Sequence, residues 1–308
     1  MVLFFYLSVN EWQAFMMLQN FLDYLKLERN YSSHTIKAYQ NDLTAFQEFC
    51  SHEFEVTSLA EVGYPIIRSW ILSLSKKGIS NLSINRKVSS LKSFFKFLQK
   101  IGEIETNPLI GHKALKVQKK IQVPFSKKEI LEVMDAIQGD DFESVRNRLV
   151  IEMLYATGIR RTELLHMKLS DIDFSENVIR ILGKRNKERF VPILSTMLTS
   201  IHNYLPLRNE LAENDYLFVT SKGNKMYETL VYRIINSYFS LASTKLKKSP
   251  HILRHSFATH LLNEGANLNS VKELLGHSSL ASTQVYTKNS LESLKQMYNQ
   301  AHPRSNKK

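Results

Sequence analysis

Apolar positions recur at three- and four-residue intervals along the first 110 residues, and the pattern predicts helices almost throughout. Ser8-Val9-Asn10-Glu11 has the form of a capping box, and a periodic apolar stretch follows it to about Arg29. Ser32 or Ser33 caps a second helix whose inward stripe is Ile36, Tyr39, Leu43, Phe46 and Phe49. Pro65 starts a third helix that ends near Gly78. Ser80 starts a fourth, which turns Ile84, Val88, Leu91, Phe95 and Leu98 inward and closes at Gly102. Beside that stripe Lys92, Lys96 and Lys100 recur every four residues, a basic edge suited equally to solvation and to phosphate contact.

The periodicity lapses over residues 111–125, which carry Lys113, Lys116, Lys119 and Lys120. It resumes after Pro124 with a second capping box, Ser126-Lys127-Lys128-Glu129. The lapse reads as an interdomain linker, basic enough to lie along a phosphate backbone. The expected organisation is a helical domain over 1–110, the linker over 111–125 and a second domain over 126–308. That second domain is mostly helical with one exception. Val178–Leu182 and Arg189–Ile193 flank a polar, basic tip, Gly183–Glu188, which signals a β-hairpin. The fold class is therefore mainly α (α+β), with four helices first and a small antiparallel β element in the second half.

Composition adds a partner class. The chain of 308 residues is long enough for two cores, and its 43% apolar content is ordinary for a globular protein. The formal charge of +12 favours a polyanion, although a solvated basic surface would carry the same sum. Its distribution says more: residues 1–110 hold 11 Lys+Arg against 10 Asp+Glu, so nearly all of the excess lies beyond them. Cys50 is the only cysteine, which excludes an intramolecular disulfide and a cysteine metal site and fits a reducing cytoplasm. Met1–Val9 is apolar but has no Lys or Arg before it and is too short to cross a bilayer, so no membrane partner is expected. It packs on the first domain, or translation starts at Met16 or Met17.

The chemistry lies in residues at fixed distances before Tyr286. His277 stands nine residues earlier, His251 and Arg254 form His251-Ile252-Leu253-Arg254, and Arg160 lies upstream in Gly158-Ile159-Arg160-Arg161-Thr162-Glu163. Cleaving a phosphodiester requires stabilising negative charge on nonbridging oxygens, and arginine meets those oxygens two at a time while staying charged. On a helix, His251 and Arg254 share one face. Tyr286 supplies a nucleophile and Lys184, on the hairpin tip, a proton donor for the departing oxygen. Blander roles are open to each residue singly. Arg160 beside Glu163 makes an ion pair, and His251, His255 and His260 have the spacing of helical metal ligands, although no acidic or cysteine ligand stands among them. Asp171 and Asp173 do not have the arrangement of a two-metal nuclease.

Taken together, these segments resemble the tyrosine recombinase (phage integrase) family, over nearly the whole chain. Ala156–Leu164 looks like its first box, Gly183–Arg189 like its lysine hairpin, and His251–His260 with Leu274–His277 like its second box, Tyr286 standing at the usual spacing. Arg185 departs from the glycine often found there. The resemblance implies that Arg160 and Arg254 clamp the scissile phosphate, that His277 assists, that Lys184 is the general acid, that His251 is an acid/base or phosphate contact, and that Tyr286 is the nucleophile. It implies no cofactor, metal or ATP. It implies a core-binding first domain that closes with the second as a C-shaped clamp on double-stranded DNA with inverted-repeat half-sites. It also implies a homo- or hetero-tetramer on two DNA sites. The tail Tyr298–Arg304 is similar to the Xer branch, which resolves chromosome dimers, and Ser290–Asn299 is the candidate helix for docking on a neighbouring protomer. Other members integrate mobile elements or invert promoters; a type IB topoisomerase or a catalytically silent DNA-binding protein are the rival readings.

Overall fold

Serine hydroxyls set two of the helix starts in the N-terminal part of the computed structural model. Ser32 Oγ accepts from the Thr35 amide at the head of α2 (Ser33–Phe54), and Ser80 Oγ accepts from the Ser83 amide at the head of α4 (Asn81–Lys100). Between them runs α3 (Tyr64–Lys76), with Pro65 in its first turn, and before them α1 (Val9–Leu27). The structure describes residues 9–118, 122–183, 188–245, 247–276 and 298, so the Ser8 cap expected for α1 lies outside the described residues. The chain divides into two units, Met1–Lys120 and Ile121–Lys308.

The first unit is built around aromatic contacts between α1, α2, α3 and α4. Phe21 meets Phe94 edge-on at 5.3 Å and Phe46 lies 4.9 Å from Trp70. All five positions expected to face inward on α4 are buried. On α2, Leu43 and Phe46 are buried while Ile36, Tyr39 and Phe49 pack at the margin. Asp42 is buried on the same face. It takes Arg86 on two oxygens at 2.5 and 2.9 Å, Lys87 at 3.1 Å and Ser90 at 2.8 Å, all from α4. Burial pushes its pKa up, and these hydrogen bonds outweigh burial and hold it below the ordinary value. In the stretch after α4, the backbone of Leu115 and Lys116 is pinned to the side-chain amides of Asn85 and Asn81 on that helix by hydrogen bonds of 2.8–2.9 Å.

The second unit wraps its helices around α6 (Phe142–Thr157), in which every residue from Leu149 to Thr157 is buried. Its other elements are α5 (Lys127–Ala136), α7 (Arg161–His166), β1 (Ile172–Asp173), β2 (Val178–Leu182), β3 (Glu188–Pro192), α8 (Ser195–Leu211), α9 (Glu228–Ala242), α10 (Pro250–Asn263) and α11 (Leu268–Leu275). α8 and α10 pack most heavily on α6. The expected capping box at Ser126 and Glu129 is present, and Phe125 just before it is buried 4.0 Å from Phe239. β2 and β3 pair antiparallel with Ile179 opposite Val191 and Leu182 opposite Glu188, so β3 begins one residue earlier than the sequence suggests. β1 adds a third strand, order β1-β2-β3, that the sequence did not signal. No helix among the described residues is long and apolar enough to cross a membrane.

Candidate active site

Two helix ends build the site. α6 stops at Gly158, whose φ of +59° is left-handed, and the chain turns so that Arg160 becomes the residue before α7. α11 stops in the same way at Gly276, φ +62°. Both ends leave carbonyls without intrahelical partners. Arginines supply the missing donors. Leu274 O takes Arg189 Nε at 2.8 Å, Leu275 O takes Arg254 Nη2 at 2.6 Å, and Gly276 O takes Arg160 Nη2 at 3.3 Å. Gly158 O takes the other arm of Arg254, Nη1, at 2.5 Å. Three consecutive carbonyls at the negative end of one helix thus hold three guanidinium groups.

Glu163 sits beneath them, its side chain 5% exposed. It accepts the Arg160 amide and Arg160 Nη1, each at 2.7 Å, and a bidentate pair from Arg189 at 3.0 and 2.8 Å. Burial alone would raise its pKa; the hydrogen bonds and charge of Arg189, then the hydrogen bonds from Arg160, hold it below the ordinary value. Arg254 is lowered to about 10 by burial first and then by the charge of Arg160, so it stays charged at neutral pH. Arg160 keeps 37% of its side chain exposed. The structure therefore brings Arg160 and Arg254 together at the end of α11, with Arg160 partly open to solvent.

His251 lies in the first turn of α10, one turn before Arg254, and is exposed. Desolvation, followed by the charges of Arg161, Arg254, Lys247 and Arg160, keeps its pKa below the usual value, which favours the neutral ring. His260 is buried and its Nδ1 is 3.0 Å from the Tyr155 hydroxyl, whereas His255 is exposed. Among the described residues, no three or more His, Cys, Asp or Glu side chains are grouped to hold a metal ion. Lys184, His277 and Tyr286 lie outside the described residues. Arg189 was not singled out in the sequence, yet it occupies an inward position of β3, two residues before buried Val191. A cation at an inward position of a strand requires a buried partner, and that was the available signal.

Residues 101–292 match the phage integrase family, and residues 18–102 match its N-terminal SAM-like domain. The chain belongs to the phage integrase family. Among curated proteins it is similar to the tyrosine recombinase XerC of Oceanobacillus iheyensis, at 37% identity over 94% of this chain and 96% of that protein. It is similar also to the XerC of Staphylococcus carnosus, at 36% identity over 94% and 98%. Among solved structures, the fold of this family member resembles the XerH site-specific recombinase bound to its palindromic difH substrate. The TM-score is 0.69 at 24% identity, over 92% of this chain and 80% of that one. The Tn1549 transposon integrase with transposon right end DNA gives a TM-score of 0.69 at 22% identity, over 90% and 97%.

Proposed function

We propose that this chain is a site-specific tyrosine recombinase that cuts and rejoins duplex DNA through a 3′-phosphotyrosyl intermediate. Arg160 and Arg254 hold the nonbridging oxygens of the scissile phosphate and neutralise the charge that grows on them. The Tyr286 oxygen attacks phosphorus, the bond to the 5′ oxygen breaks, and Lys184 gives that oxygen its proton. His251, whose pKa desolvation and then the neighbouring cations lower in the free protein, and His277 contact the same phosphate. The ester keeps the bond energy, so rejoining by the 5′ hydroxyl of another strand needs neither ATP nor a metal.

The convergence of Arg160 and Arg254 on the carbonyls that close α6 and α11 supports this reading most, because it sets both guanidinium groups before a phosphate arrives. The XerC relatives support site-specific recombination of the Xer type, with chromosome dimer resolution as the role, and the structural neighbours solved with DNA support DNA as the partner; a tetramer of protomers on two sites belongs to the same proposal. A suicide DNA substrate tests the chemistry. Wild-type protein should form a covalent adduct, with EDTA present, while Tyr286→Phe binds the DNA and forms none. Adduct formation by the phenylalanine variant would overturn the assignment.

A further inference from the structure

We propose that Arg189 is a positioning residue for strand transfer, whose task is to neutralise Glu163 so that the charge of Arg160 remains available to the scissile phosphate. The inference rests on the strand-transfer reading above and adds a residue to it. Arg189 is 4% exposed, so it cannot itself reach DNA. Its Nε bonds Leu274 O and both terminal nitrogens bond Glu163, which fixes the group facing inward.

The electrostatic argument starts from Glu163. A carboxylate 2.7 Å from Arg160 orients that arginine and supports its backbone amide, but it also cancels much of the positive charge. A second guanidinium on the same carboxylate restores the balance. The four side chains Arg160, Arg189, Arg254 and Glu163 sum to plus two with Arg189 and to plus one without it. Of the two arginines on Glu163, Arg189 contributes more to holding the carboxylate ionised. Arg160 thereby keeps its orientation without losing its charge. The placement also ties β3, which continues from the lysine hairpin, to the end of α11 that precedes His277.

A charge cycle separates this role from simple support. Arg189→Met, Glu163→Gln and the double variant are compared with wild type for single-turnover adduct formation on the suicide substrate, after DNA binding and thermal melting are checked. R189M should slow adduct formation on the order of 100-fold, as for a misplaced reactive group. E163Q/R189M returns the sum to plus two and should recover roughly tenfold relative to R189M, a coupling within the range for contacting residues. Arg189→Lys keeps the charge without the fork and should fall between wild type and R189M. R189M as fast as wild type overturns the proposal. So does a double variant no faster than R189M, because with Glu163 neutral no carboxylate charge remains for Arg189 to offset. If R189M does not fold, E163Q and the double variant decide: equal rates support compensation, and a slower double overturns it. A wild-type protein that forms no adduct removes the strand-transfer reading itself, and the inference with it.

Discussion

Arg254 Nη1 donates to the Gly158 carbonyl at 2.5 Å, so the guanidinium on α10 is held by the residue that ends α6. The carbonyl is free because the helix stops there, and the helix stops because glycine adopts φ +59° at no steric cost. The turn that exposes Arg160 and the acceptor that orients Arg254 are therefore one backbone feature.

Gly158→Ala should damage both. A Cβ at that position overlaps the Phe257 ring, with Cε1 2.7 Å away, and presses on Leu275 Cδ2 at 3.0 Å. The left-handed backbone adds its own strain. Together these cost about 2–4 kcal/mol, and the melting temperature should fall by about 5–10 °C. Thermal melting of the variant checks the first effect, and adduct formation below the melting temperature checks the second. Unchanged values for both contradict the role given to this glycine.

Asp42→Asn should destabilise the first unit in a pH-dependent way. The carboxyl has a folded pKa below its unfolded value, so its contribution is present above the unfolded pKa of about 3.9 and is lost as pH falls through the folded one. Breaking the cluster should cost about 1–3 kcal/mol near neutrality, discounted because Arg86 is half exposed. Urea midpoints at neutral and acid pH measure it. The gap between wild type and variant should narrow on acidification, and a constant gap refutes the ionic account.

The two units differ in how much of them can be read in the sequence. On α4 all five expected inward positions are buried, since a serine cap, a 3.6-residue period and a closing glycine all agree there, although Ser90, Phe94 and Phe97 widen the buried face. On α2 the period was right, but Asp42 and Cys50 complete the buried face, and an acidic residue is invisible to a search for apolar positions. β1, two residues long, is too short to show alternation. At the candidate site, the residue types and spacings of Arg160, His251 and Arg254 are chemically specific enough to single them out in the sequence, and the structure sets Arg160 and Arg254 on the same helix end. What holds them there was not legible. The two arginines are held by main-chain carbonyls at the ends of α6 and α11, which every sequence contains, and the Glu163–Arg189 pair joins residues 26 apart through the tertiary fold.

Tyr298 should matter more by its ring than by its hydroxyl. It is fully buried beside Phe257 in this chain's own second unit, and its hydroxyl donates to Ala156 O in the last turn of α6. Tyr298→Phe removes one hydrogen bond and should cost about 0.5–1.5 kcal/mol. Tyr298→Ala empties the site and should cost about 3–5 kcal/mol. Melting curves of the two variants measure the difference, and an alanine variant as stable as wild type shows that the ring is not buried in solution.

His251 gives the site a pH signature with a definite sign. Partial desolvation and the surrounding charges of Arg161, Arg254, Lys247 and Arg160 lower its pKa, although Arg161 is itself paired with Glu228 at 2.5 Å. The unfolded chain then binds the proton more readily, so stability falls as pH drops through the unfolded value of about 6.5 and levels off below the folded pKa. A DNA phosphate placed among these cations offsets their charge and should raise the His251 pKa. NMR titration of the imidazole resonance in the free protein, in Arg161→Gln and with a short duplex should give three values in rising order from the free protein. The rise in R161Q reports the charge of one neighbour, and the rise with DNA reports the phosphate. A ring that titrates in the free protein at or above its ordinary value removes the cationic surroundings from the account of how His251 is kept neutral.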